Sequence, residues 1–103
     1  LQTFHFDDCT LNFSSFYQMH LKNQQFNRCK LIEADFTETD LKDAVFDNCD
    51  LKNTLFEGTI LEKVDFRTSF NLAFDPEKNR IKKAKFSKEG ALGLLMKYDI
   101  IIS

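Results

Sequence analysis

Apolar residues recur at every fifth position from Phe6: Leu11, Phe16, Leu21, Phe26, Leu31, Phe36, Leu41, Phe46, Leu51, Phe56, Leu61 and Phe66 follow in strict Phe/Leu alternation, and Leu1 extends the series backwards. Two residues before each stands a mostly small one: Cys9, Ser14, Met19, Gln24, Cys29, Ala34, Thr39, Ala44, Cys49, Thr54, Thr59, Val64 and Ser69. The remaining positions are mostly polar. A period of five fits neither a helix nor a plain strand. Within each five, the two inward positions are two apart, which puts both side chains on one face of an extended segment. The other residues must then turn the chain. Four such sides close a square coil of 20 residues, with Phe on two opposite walls and Leu on the other two. Successive coils stack about 4.8 Å apart through parallel backbone hydrogen bonds.

The phase outlasts the obvious repeat. Asn71 and Pro76 occupy the next two positions, then Ile81 and Phe86 return on the count of five, with Ala84 to Lys88 as a last unit. Residues 75–80 read as a loop. The sequence thus predicts a β-helical unit over residues 1–88, about four coils and roughly 20 Å tall. Residues 89–103 form a separate C-terminal element. Ser87 is its N-cap and Lys88 to Tyr98 a short helix, with Leu92, Leu95 and Met96 on one face, widened by Ala91, Leu94 and Tyr98. Gly90 and Gly93 weaken the helix or allow close approach, and Ile100 to Ile102 is strand-like. This element caps the last coil, shares its apolar surface across a homodimer axis, or both. No matching cap precedes Leu1, Phe4 and Phe6, so further coils are expected upstream.

Composition sharpens this picture. Twelve Phe among 103 residues exclude disorder, and no apolar run is long enough to span a membrane. With only 3 Gly and 1 Pro, the corners are expected to recur within the five-residue unit without special turn residues. Three Cys argue against a disulfide framework, and no signal peptide is recognisable, which together predict a reduced, cytoplasmic setting. Residues 1–70 hold 12 acidic and 7 basic residues, whereas residues 71–103 hold 4 and 7. The first part therefore attracts cationic surfaces rather than nucleic acid.

Candidate chemistry is sparse. Cys9, Cys29 and Cys49 are spaced by 20 and stack as an inward ladder of small thiols, in line rather than converging as metal ligands must. His5 and His20 fall on different sides, outside any metal or nucleophile motif. No phosphate-binding glycine loop, Cys-x-x-Cys or nucleophile elbow exists, and a regular coil offers no concave pocket. The sequence predicts no enzyme, no metal and no cofactor. Acidic residues are the better candidates for contact. Asp35, Glu38 and Glu57 share the Phe16/Phe36/Phe56 side with no basic residue, and Asp40 and Asp43 lie on the adjoining side among Lys22, Lys42 and Lys63. The Asp before a central residue also serves the repeat itself. Phe13, Ile32, Val45, Leu55 and Ile60 point outward, with Phe13 and Ile32 neighbours one coil apart.

The units Ala34-Asp35-Phe36-Thr37-Glu38, Thr39-Asp40-Leu41-Lys42-Asp43, Cys49-Asp50-Leu51-Lys52-Asn53 and Val64-Asp65-Phe66-Arg67-Thr68 resemble the pentapeptide-repeat family, whose consensus is Ala-(Asp/Asn)-Leu-x-x. The resemblance implies an all-β fold, a right-handed quadrilateral parallel β-helix. Residues 91–102 look like the helix-then-strand tail of the bacterial quinolone-resistance type, which dimerises through it. Leu92, Leu94, Leu95 and Met96 match its dimer contacts, and Tyr98, Ile100 and Ile102 extend the apolar set. Those proteins mimic duplex DNA, bind DNA gyrase or topoisomerase IV and protect it from quinolones. Many carry projecting loops, for which the unbroken phase from Phe4 to Ser69 leaves no room here. The resemblance therefore implies a DNA-mimicking homodimer with a topoisomerase partner; a general protein-interaction scaffold is the other reading.

Overall fold

The computed structural model describes residues 5–103; the expectations for Leu1 and Phe4 lie outside them. Three short strands, β1 (His5–Asp7), β2 (Gln25–Asn27) and β3 (Val45–Asp47), pair in parallel in that order. Every residue faces the one 20 further along, so Phe6 sits on Phe26 and Phe26 on Phe46. The other sides repeat this register as single parallel bridges: Thr10 with Lys30 with Asp50, Ser15 with Asp35 with Leu55, His20 with Asp40 with Ile60. Backbone bonds run both ways between coils, as in Leu31 N–H to Asp50 O (2.9 Å) and Asp50 N–H to Cys29 O (3.0 Å). The chain is a β-helix-like coil that gains one turn per 20 residues, and the molecule measures 43 × 24 × 22 Å.

The corners do require a special conformation. Asp8, Phe13, Gln18, Asn23, Arg28, Glu33, Glu38, Asp43, Asn48, Asn53 and Lys63 all have φ between 53° and 63°, and Gly58 joins them at 63°. Each is the second residue after a central Phe or Leu. On the Leu walls and at Phe16 and Phe36, the central carbonyl accepts from the N–H three residues on, as in Met19 N–H to Phe16 O (3.0 Å) and Ala34 N–H to Leu31 O (3.0 Å). Positive φ at the third residue of such a turn is the type II arrangement. Non-glycine residues thus occupy a region that costs them about 1 kcal/mol or more. β-branched Thr68, which would suffer most there, is not among them.

Inside, the two Phe walls stack coil on coil. Phe6, Phe26, Phe46, Phe66 and Phe86 form one column with centroids 4.8–5.4 Å apart, and Phe16, Phe36 and Phe56 the other at 4.7–5.4 Å. Across the core the columns meet edge to face, within 8° of perpendicular at 5.7–6.2 Å. Both geometries suit the aromatic quadrupole. Leu31, Leu41, Leu51 and Leu61 close the other walls and are buried. The small inward column is often polar because it serves the corners. Thr39, Thr54 and Thr59 hydroxyls donate to the carbonyls of Phe16, Leu31 and Phe36 one coil earlier, at 2.6–2.7 Å. Ser69 does the same to Phe46. Met19, in the same column near the start, is exposed.

The last coil improvises. Leu72 is buried beside the polar position 71, and the Phe74 ring lies 5.4 Å from Phe56, which supplies the aromatic that Pro76 cannot. Pro76–Lys78 forms a 3-10 turn capped by Asp75, and the register resumes with Ile60 facing Arg80 and Asp65 facing Lys85. Ser87 caps α1 (Lys88–Leu92), its hydroxyl accepting from Gly90 N–H at 3.0 Å. The helix expected to reach Tyr98 tightens to 3-10 geometry over Gly93–Tyr98, and Ile100 to Ile102 join no strand. The tightening begins where the chain touches the last coil: a Cβ on Gly93 would lie 1.9 Å from Leu72 O. Beyond it, Lys97 Nζ donates to Asp75 Oδ1 (3.0 Å) and Glu77 Oε2 (2.8 Å), which latches the tail to the 75–78 turn.

Three outcomes follow from this packing. Phe46→Ala removes the centre of one column and lowers unfolding free energy by about 3–5 kcal/mol in urea titration. Glu33→Gly, at an exposed left-handed corner, leaves the midpoint unchanged or raises it, whereas Glu33→Val lowers stability by about 1–2 kcal/mol; equal effects would contradict the corner strain. Gly93→Ala detaches the C-terminal element, seen as loss of amide protection there while β1 to β3 stay protected. The latch also depends on pH. The hydrogen bond from Lys97 holds the Asp75 carboxyl below its ordinary range, and Glu77 with Asp75 holds the ammonium above its own. The latch therefore contributes fully between about pH 4 and 10, weakening as pH falls below the ordinary carboxylate range or rises above the ordinary lysine range. Met96 methyl resonances, in the same tail segment and without an ionisable group, followed by NMR should report both losses.

Candidate protein-binding faces

With the core filled, only outward side chains remain for contact. Asp35, Glu38 and Glu57 do share one side, on successive coils. Their states differ. Asp35 Oδ1 accepts its own side's Thr37 N–H at 2.9 Å, and Asp40, Asp50 and Asp65 bind the N–H two residues on in the same way. These carboxylates stabilise each turn as well as carrying charge. Glu38, Asp43 and Glu57 are exposed and project from the corners and sides. Glu38 Oε1 accepts from Gln18 Nε2 at 3.2 Å, one coil earlier.

This side is not free of cations, contrary to the sequence expectation. The loop in the last coil brings Lys78 Nζ to 4.0 Å from Glu57 Oε1, and Lys97 reaches Asp75 and Glu77 from the tail. The Lys78–Glu57 pair is solvent-exposed and contributes little to stability, the side chains of the Lys97–Asp75 pair are half-buried, and both pairs dilute the acidity at that end. On the adjoining side, Lys22 Nζ lies 3.9 Å from Asp40 Oδ2, while Asp43 stands at the corner. Sequence patterning missed Lys78 and Lys97 because both arrive from segments outside the regular repeat.

Apolar contact groups fall in three places. Tyr17 and Leu55 are exposed on the acidic side, at 48% and 55%. Phe13 is exposed, and its N–H donates to Ile32 O at 3.0 Å, so the two are neighbours as expected; Ile32, Val45 and Ile60 are half-buried. The third place is the tail: Leu92, Leu95, Met96, Tyr98, Ile100 and Ile102 are exposed and Leu94 is half-buried. Docking on the last coil therefore leaves much of this apolar surface uncovered.

Elsewhere the chemistry is structural. Cys29 and Cys49 are buried thiols whose Sγ atoms donate to Phe6 O and Phe26 O at 3.1 and 3.3 Å. Burial pushes the Cys49 thiol up to about 12, and Cys29 upward as well, so neither is a thiolate at neutral pH. His5 and His20 are exposed. The outer surface is not uniformly convex as expected: a groove of about 290 Å³ opens between Lys42, Glu62, Lys63, Lys82 and Lys83.

Among solved structures, a pentapeptide repeat protein from the Arabidopsis thaliana thylakoid lumen is 20% identical with a TM-score of 0.46, over 78% of this chain and 56% of that one. The pentapeptide repeat protein Rfr23 from the cyanobacterium Cyanothece 51142 is 12% identical with a TM-score of 0.49, over 82% and 88%. Full-length QnrB1, a plasmid-mediated fluoroquinolone resistance protein, is 18% identical with a TM-score of 0.30, over 92% and 68%. The chain thus spans little more than half the length of the Arabidopsis protein. No curated protein matches it by sequence. Among the described residues no helix is long and apolar enough to cross a membrane. The family model for the pentapeptide repeat region matches residues 1–71, and the chain belongs to the pentapeptide-repeat family.

Proposed function

We propose that the chain is a non-enzymatic, cytoplasmic protein-binding rod, a right-handed quadrilateral β-helix that presents carboxylates to a cationic protein surface. The observation that carries this reading is the exposure of Glu38, Asp43 and Glu57 on a coil whose positions are fixed by the ladder. The backbone that carries these groups needs no ordering when a partner docks, so only their side-chain rotamers remain to be fixed. The partner we propose is a bacterial type II topoisomerase, DNA gyrase or topoisomerase IV. A saddle that neutralises DNA phosphates with Lys and Arg also attracts an acidic rod, and the tail resembles that of the quinolone-resistance type. Two copies joined through Leu92, Leu94, Leu95, Met96, Tyr98, Ile100 and Ile102 would double the rod and cover the tail's exposed apolar groups. A general interaction scaffold is the second reading, favoured by Tyr17 and Leu55 standing exposed among the carboxylates.

A gyrase supercoiling assay with and without ciprofloxacin separates the two. The first reading expects inhibition or rescue by the purified protein, lost when Glu38→Lys and Glu57→Lys are combined with Asp35→Asn, which keeps the turn bond and removes the charge. Neither inhibition nor rescue would reject the topoisomerase, and an unchanged effect in the triple variant would reject this face.

A further inference from the structure

The last coils carry a charge arrangement that neither the fold nor the acidic side explains. Residues 78–88 include Lys78, Arg80, Lys82, Lys83, Lys85 and Lys88 with no acidic residue. Three of the ammonium groups nearby are in neighbouring coils: Lys63 and Lys83 occupy the same left-handed corner one coil apart, at φ 61° each, and Lys63 N–H donates to Lys82 O at 3.0 Å. With Lys42 they line the 290 Å³ groove, where Glu62 is the one carboxylate among the lining residues. Arg28 pairs with Asp8 and Arg67 with Asp65 at 2.9 Å, whereas Lys30 and Lys85 stand in register with Asp50 and Asp65 without an ion pair, so what sets the groove apart is the number of cations around it. Lys42, Lys63, Lys82 and Lys83 make no ion pair with any described residue, Glu62 and Asp43 included.

Lys63 and Lys83 are like charges one coil apart, which is unfavourable, while Glu62 stands between Lys42 and Lys82 in the same register and offsets part of their charge. Four unpaired ammonium groups around one concavity still repel one another, and a compact multivalent anion is the species that relieves all four contacts together. Lysine binds phosphate as a point charge through three rotatable donors. The lining contains no aromatic ring on which a base could stack. We propose that this groove is a binding site for the clustered phosphates of a soluble oligophosphate, recognised through its phosphates alone, with Lys42, Lys63, Lys82 and Lys83 as donors and Glu62 setting an upper limit on affinity.

Calorimetric titration of the whole chain with inorganic tripolyphosphate at about 0.15 M salt, where the Debye length is about 8 Å, tests this. The expected result is saturable one-to-one binding that weakens about tenfold or more in Lys82→Gln/Lys83→Gln, as loss of two of four attracting charges implies. Glu62→Gln should tighten it several-fold, and Lys88→Gln, outside the groove, should leave it within about twofold because exposed charges are screened over such distances. Lys88 is exposed and Glu62 half-buried with an isosteric replacement, so circular dichroism should show each variant folded. Absence of saturable binding overturns the proposal. So does equal weakening by Lys88→Gln and Lys82→Gln/Lys83→Gln, which would mean a diffuse charge effect. Binding of duplex DNA or anionic vesicles without binding of tripolyphosphate would overturn it too, by assigning the patch to a polymer or membrane surface.

Discussion

From Asp8 to Lys63 each five-residue side closes into the coil through a corner residue that holds a left-handed backbone, and the surrounding ladder supports that conformation. Eleven non-glycine residues sit at φ between 53° and 63° in residues 5–66. Each would relax if isolated, since the region is disfavoured for side chains with a Cβ. They persist because the ladder over-determines them: the corner N–H of Glu33 is bound to Lys52 O at 3.0 Å, and that of Asp43 to Glu62 O at 3.0 Å. Strain of this kind survives only where surrounding structure fixes it.

The same constraint explains the composition of the core. A 20-residue coil leaves one large inward side chain per side, and parallel register stacks identical residues on one another. Phe tolerates this because stacked rings within a column and edge-to-face rings between columns are both favourable. The small inward position must fit beside the ring and still satisfy a corner carbonyl, which suits Thr, Ser and Cys. Buried polarity is thereby consumed: no buried side-chain nitrogen or oxygen among the described residues lacks a partner. Binding chemistry is left to the outer positions and to the irregular end.

Much of this was legible in the sequence, for a physical reason. A strict period exposes register directly, so the Phe and Leu walls, the 20-residue pairing and the neighbours Phe13 and Ile32 could all be read from spacing. The left-handed corners were not legible, because Asp, Glu, Lys and Phe stand where glycine is the usual signal. The last coil hid Leu72 and Phe74, which fill the core from positions outside the count of five. Gly93 was ambiguous in sequence; its role as a close contact with Leu72 O depends on a segment 21 residues away. The acidic side was legible as a set, but its partial neutralisation by Lys78 and Lys97 was not, since both reach it from irregular segments. Nor did a convex repeat suggest the lysine-lined groove, which arises from residues three separate coils contribute.

The central claim is that one coil of 20 residues is the unit of structure. Duplicating residues 30–49 in place adds a complete coil with every column continued, while inserting a single five-residue unit at the same point turns all later residues by one side and sets Leu under Phe. Urea unfolding of the two variants distinguishes these cases. The coil account predicts that the 20-residue duplication matches or exceeds the parent chain in stability and that the five-residue insertion loses several kcal/mol, as a mismatched core does. Equal stability for the two insertions would contradict it.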